Sequence, residues 1–304
     1  MADINKTRRK GFKNAGRSKR DYSYIIPSPE DIRDYTIKDI DDASAPEPVV
    51  RRLTAEKPLP KTYKSMVVHS KDVFNQGSAG MCVACSLSMM RFITETKQSK
   101  ITGQFSPAYI YGHRSTVTTK NGYGMTIRDA LSDLVAHGVC SFKNFKTIGE
   151  YNKCNKQYEA HKKDLDKIAK KFRPSSYYQL NGIEEIKRCV YATGSALVVV
   201  PCYENADPEW HTYDDESKKT PMAYFSDYDK DHDWGAITGY HAMTCIGWNK
   251  DGLFLINSYG SDWGTNGKAY WSYEYPITEA WGIVDNNKPI LSKAFRKLLD
   301  KKIV

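Results

Sequence analysis

The chain has 304 residues, a formal net charge of +9, and 40% hydrophobic and 12% aromatic residues. That content suffices for a packed core and excludes a wholly disordered chain, while the length allows one large domain or two modest ones. No apolar run reaches the ~18 residues that a membrane span needs.

The segment "NKTRRKGFKNAGRSKR" (Asn5 to Arg20) carries eight Lys/Arg and no acid. It reads as a solvated tail, with contact to nucleic acid or another polyanion as the sharper alternative. Proline and charge dominate up to about residue 57, so residues 1–57 read as an arm or short pro-segment outside the core, with a short strand or helix within "YIIPSPEDIRDYTI". The N-terminus lacks a signal-peptide-like apolar stretch. Seven cysteines, odd in number and scattered, do not resemble a secreted disulfide framework. A reducing compartment is therefore expected, cytoplasmic or virion-associated.

From about Leu59 the texture changes. "AGMCVACSLSMMRFITETK" places Val83, Leu87, Met90, Phe92 and Ile93 near one side of a helix. "FSPAYIYGHRS" and "TIRDALSDLVAHGV" read as two more, the second with an apolar stripe of Ile127, Leu131, Leu134 and Val135 and Gly138 as its stop. "KQYEAHKKDLDKIAKKF" reads as a charged surface helix. The period then shifts to that of strands in "SALVVVPCY", "HAMTCIGWN", "LFLINSYG" and "GKAYWSY", with a turn at "NKDG". Helices followed by antiparallel strands predict an α+β chain of two lobes with a groove between them. The acidic stretches "YDDESKK" and "DYDKDHDWG" read as a solvated insertion before the "HAMTCIGW" strand; the second lacks the glycine and glutamate of a calcium-binding loop. Residues 286–304 read as a basic amphipathic helix with Phe295, Leu298, Leu299 and Ile303 on one face.

The chemistry concentrates in a few polar residues. Cys82 falls in the first turn of its helix, where unpaired N–H groups and the helix dipole favour a thiolate and lower its pKa. His241 opens one strand and Asn257 ends the next, so an antiparallel pairing brings them side by side, the amide orienting the imidazole. Gln76 sits on the loop feeding the helix, where its N–H joins that of Cys82 to cradle an oxyanion. Against this stand a redox reading of Cys82 and Cys85, which lacks a thioredoxin-like βαβ pattern, and a zinc reading, which lacks a second closely spaced Cys/His pair, since His69, His113 and His137 are scattered. The plain alternative is that Cys82 is a small core residue.

"NQGSAGMCVACS" resembles the papain-family motif Q-G-x-C-G-S-C-W-A-F-S. "YHAMTCIGWNKDGLFLINSYGSDWGTNGKAYW" resembles that family's H-A-V…G-Y…N-S-W-G…W-G…G-Y. "YGMTIRDALSDLVAHGV" and "SYYQLNGIEEIKRCVYATGSALVVV" resemble intermediate segments of its bacterial-type members. The likeness spans about residues 58–285, taken as the peptidase domain. It implies a papain-like two-lobe α+β fold, with a helical left lobe, an antiparallel β-barrel-like right lobe and the active site in the cleft.

The resemblance also implies residue roles. Cys82 is the nucleophile, His241 the base and acid, Asn257 its orienter and Gln76 the oxyanion glutamine. Gly124 lines the groove, Met125 and Ala242 the specificity pocket, and Trp263 and Tyr259 supply the aromatic shield, Tyr259 replacing a tryptophan. Three departures stand out: Ala79 replaces a disulfide cysteine, Val83 replaces an aromatic wall, and Cys85 replaces an aromatic core residue. The implied activity is a cysteine endopeptidase on peptide or protein substrates with no metal or cofactor. An amidase or transpeptidase on cell-wall peptides, and an idle papain-like domain in a virion or other structural protein, are the alternatives.

Overall fold

The computed structural model describes residues 25–29, 31, 34–40, 47–55, 57–99, 103–114, 124–204, 223–225, 235–285, 297, 299 and 301–304. The basic stretch 5–20 and the acidic stretches 213–219 and 227–234 lie outside them.

Strand β1 (Ile25–Ile26), helix α1 (Glu47–Thr54) and strand β2 (Tyr63–Lys64) come first. Helices then dominate: α2 (Cys82–Ser99), α3 (Pro107–His113), α4 (Ile127–His137), entered through strand β3 (Met125–Thr126), and α5 (Tyr151–Ala169). Local chemistry sets their ends. The Ser106 side chain caps α3 by accepting from the Tyr109 N–H, and Pro107 occupies its first turn, where no donor is missed. α4 stops at Gly138, whose φ of 79° and contact with the Ala169 carbonyl leave no room for a Cβ.

Beyond α5 the chain turns to strands: β4 (Ser176–Gln179), β5 (Ala196–Tyr203), β6 (Ala223–Phe225), β7 (Ile237–Trp248), β8 (Gly252–Ile256), β9 (Lys268–Ser272) and β10 (Glu279–Val284), with helix α6 (Gly182–Thr193) between β4 and β5. They form one sheet in the order β4-β10-β5-β7-β8-β9-β6, with β2 also on β7. All pairings are antiparallel except β6 with β9. The expected order, helices then antiparallel sheet, is the observed one.

Two cores flank this sheet. Leu197 and Val199 of β5 face the core built on α2–α5, whereas Val198 and Val200 face a second core closed by α1 and α6. A strand covered on both faces carries no polar alternation, which explains the unbroken apolar run of β5. Helix α2 is enclosed for most of its length, with every residue from Cys82 to Glu95 buried. Inside it Arg91 meets Glu95 one turn on and Asp285 just after β10. This wholly buried ionic cluster ties the helical part to the sheet.

Within the arm expected up to residue 57, several described residues pack into the cores instead. Ile25 enters the first core and Ile37, Ile40 and Leu53 the second. Arg128 holds Asp34 through its Nε at 2.7 Å, and Thr36 bridges to Gln179. Sparse apolar residues at irregular spacing hid this packing. At the other end, Asn144 receives the backbone N–H groups of Ile303 and Val304, so the chain end docks on the helical core. Lys297 and Leu299 are helical, while 286–296, including Phe295, and Leu298 of the expected helix lie outside the described residues. Among the described residues no helix is long and apolar enough to cross a membrane.

Candidate active site

Cys82 is the first residue of α2 and is 2% exposed. The backbone amides of Ala242 and Val83 lie near enough to the sulfur to favour its charged form. Ala242 follows His241 on β7, so the thiol stands where the helical part meets the histidine strand. His241 lies in the middle of β7, which begins at Ile237 and not at the histidine as the sequence predicted. The run "ITGY" ahead of it lacks the apolar signature of a core strand.

Nε2 of His241 lies 2.7 Å from Oδ1 of Asn257. The backbone N–H of Ser258 donates to the same oxygen at 2.7 Å, which fixes the amide orientation. A carbonyl oxygen only accepts, so Nε2 carries the hydrogen and a neutral imidazole keeps its lone pair on Nδ1. The Tyr259 hydroxyl is 3.4 Å from that Nδ1, and its ring tilts against the imidazole with centroids 4.7 Å apart. Trp263 stands edge-on behind Tyr259. An aromatic wall thus backs the histidine, with tyrosine supplying the inner layer and a polar tip.

Gln76 is placed by the sheet half despite its nearness to Cys82 in sequence. Its backbone N–H donates to the Ser258 carbonyl at 2.9 Å, Asn75 bridges to Tyr259, and Gly260 donates to Phe74. The Ser258 hydroxyl donates to Gln76 Oε1 at 2.5 Å, and Gln76 Nε2 donates to the Ala79 carbonyl at 2.8 Å. One Nε2 hydrogen is left to point elsewhere. Ser258 therefore holds both Gln76 and Asn257, a positioning role that sequence reading missed. The signal was its place beside Asn257 in "NSYG".

Of the other expected residues, Ala242 is fully buried beside the sulfur. The Gly124 carbonyl accepts from Arg114. Met125 pairs with Ile25 in a parallel bridge between β3 and β1, and β1 also lies against β7. Ile25 shares a core with Cys82, Met125 and Ala242. Ile25 and Met125 thus pack into the core that holds Cys82, and the site is buried: Gln76, His241 and Asn257 are 6%, 2% and 3% exposed.

Closure governs the thiol. Burial pushes Cys82 up to about 11, and the nearby backbone amides only partly offset it. The expectation of a lowered pKa is corrected: in the closed state desolvation outweighs the helix N-terminus. Cys85 is buried one turn on, and burial raises its thiol as well. All seven cysteines are free.

This α+β architecture, in which the helix that begins at Cys82 packs on the strand that carries His241, is the fold of papain-like cysteine proteases. Xylellain, a cysteine protease from Xylella fastidiosa, superposes with a TM-score of 0.62 at 20% identity, over 90% of this chain and 99% of that one. Procathepsin L 3 from Tenebrio molitor gives 0.57 at 17% identity over 76% and 72%. The Carica candamarcensis protease CMS1MS2, solved in complex with E-64, gives 0.54 at 13% identity over 75% and 100%. No family model matches the chain, and no curated protein matches it.

Proposed function

We propose that the chain is a cysteine peptidase that hydrolyses peptide bonds through a thioester on Cys82. The observation that carries this reading is the hydrogen-bonded pair of His241 Nε2 and Asn257 Oδ1, which leaves Nδ1 as the basic nitrogen on the strand that meets the Cys82 sulfur. In the forward step the thiol proton passes to Nδ1 and the sulfur attacks the scissile carbonyl. Asn257 and the Tyr259–Trp263 wall hold the imidazolium, which then protonates the leaving amine. Water activated by His241 cleaves the thioester. The Cys82 N–H and the second Nε2 hydrogen of Gln76 serve the oxyanion.

The test is labelling with a peptidyl epoxide or vinyl sulfone, with the adduct located by mass spectrometry. A single adduct on Cys82 is expected. Absence of labelling and of casein cleavage, with the chain folded, would favour an idle domain. Cleavage of peptidoglycan stem peptides but not casein would favour the amidase or transpeptidase chemistry instead.

Two predictions follow from the geometry. Gln76→Ala is expected to lower kcat on the order of 10²-fold, with a smaller change in KM, since the donor acts on charge that develops in the transition state. Equal loss in both constants would place Gln76 in substrate binding alone. Ile25 packs with Met125 in the core that holds Cys82, and we infer that it limits access to the sulfur, so Ile25→Asp is expected to speed labelling of Cys82 several-fold. A folded variant labelled at the parental rate would show that access is limited elsewhere.

A further inference from the structure

Away from the cysteine, the helical part brings together three metal-ligating side chains. Asp133 and His137 are one turn apart on α4, and His113 is the last residue of α3. One ligand atom from each lies within 4.8 Å of the others, and the two imidazole rings are 4.3 Å apart. His113 and His137, scattered in the sequence, are neighbours in the fold.

We infer that His113, Asp133 and His137 form a site for one divalent cation of the zinc class, clipping the end of α3 to the last turn of α4. Two imidazoles and one carboxylate suit zinc, cobalt or nickel, whereas magnesium and calcium prefer all-oxygen shells. Ligands at about 2.0–2.1 Å from such an ion stand roughly 3.3 Å apart in a tetrahedron, so each side chain closes in by on the order of 1 Å. His137 is exposed and the other two half-buried, which leaves them room to move. Three protein ligands leave the fourth position to water.

Two features set this group apart from a chance surface cluster. Asp133 is a half-buried carboxylate without a hydrogen bond or salt bridge among the described residues. The His113 ring is held in place. It stacks on Tyr109 and meets Tyr158 edge-on, and both tyrosine hydroxyls donate to Asp166, at 2.7 and 3.3 Å. A cation would give the half-buried carboxylate a partner, and the aromatic contacts already fix one ligand.

The test uses the full chain carrying Cys82→Ser, which removes the site thiol that could otherwise compete for zinc. Titration with cobalt(II) is expected to give a visible absorption band saturating at one equivalent, displaced by zinc, together with a rise in Tm. His137→Ala changes an exposed side chain and is expected to weaken binding more than about tenfold and abolish the Tm rise, as is Asp133→Asn. Absence of saturable binding overturns the inference. So does binding of equal affinity in His137→Ala and its parent.

Discussion

Exchange of Cys82 for alanine is expected to abolish peptide hydrolysis and epoxide labelling together, with kcat falling on the order of 10⁴-fold or more, since no other group can form the acyl intermediate. His241→Ala should lose activity to a comparable degree, because the two residues act as one unit and their effects do not add. Peptidase activity that persists in Cys82→Ala would refute the proposed function. The pH dependence of the thiol gives a second readout. An acid whose pKa is raised stays protonated longer as pH increases, and only the thiolate is nucleophilic. With Cys82 pushed up to about 11 in the closed state, its alkylation by iodoacetamide should climb with pH through the neutral range and level off only near that value. A plateau already reached in mild acid would mean that thiolate and imidazolium coexist in the resting chain.

The second large effect concerns stability. Arg91→Met should destabilise the fold by about 3–5 kcal/mol, seen as a lower urea midpoint with unchanged slope. Arg91, Glu95 and Asp285 have side chains 0–1% exposed, with the guanidinium contacting both carboxylates. Removing it leaves two acids buried without the cation between them. A triple variant, Arg91→Met with Glu95→Leu and Asp285→Leu, should recover most of the loss, because an apolar trio avoids desolvating any charge. A loss below about 1 kcal/mol in the single variant would show that water reaches the cluster.

Residues whose role depends on local pattern were legible before any coordinates. The start of α2 at Cys82, the stop of α4 at Gly138 and the tight turn into β8 follow from helix periodicity, glycine at a left-handed position, and Asn249 accepting from the Asp251 N–H. His241 and Asn257 were placed side by side by strand pairing alone. Residues whose role depends on distant contacts were not legible. Ser258 acquires its function from Gln76, 182 positions away. Strand β10 sits between β4 and β5, although it follows them late in the chain. The raised pKa of Cys82 depends on how thoroughly the site is closed, and Ile25 contributes to that closure from a segment that reads as polar. The helix N-terminus at Cys82 is readable from its position in the chain, whereas the burial that opposes it is not.

The joining of Phe74–Gln76 to Ser258–Gly260 has a consequence for motion. Gln76 is stapled to the strand segment that carries Asn257, whereas Cys82 belongs to α2, and residues 77–81 join the two. Gly77, with φ of 61°, can absorb torsion there at little cost. Should the two halves part to admit a substrate, the amide donor travels with the imidazole, and the sulfur alone changes its distance from both.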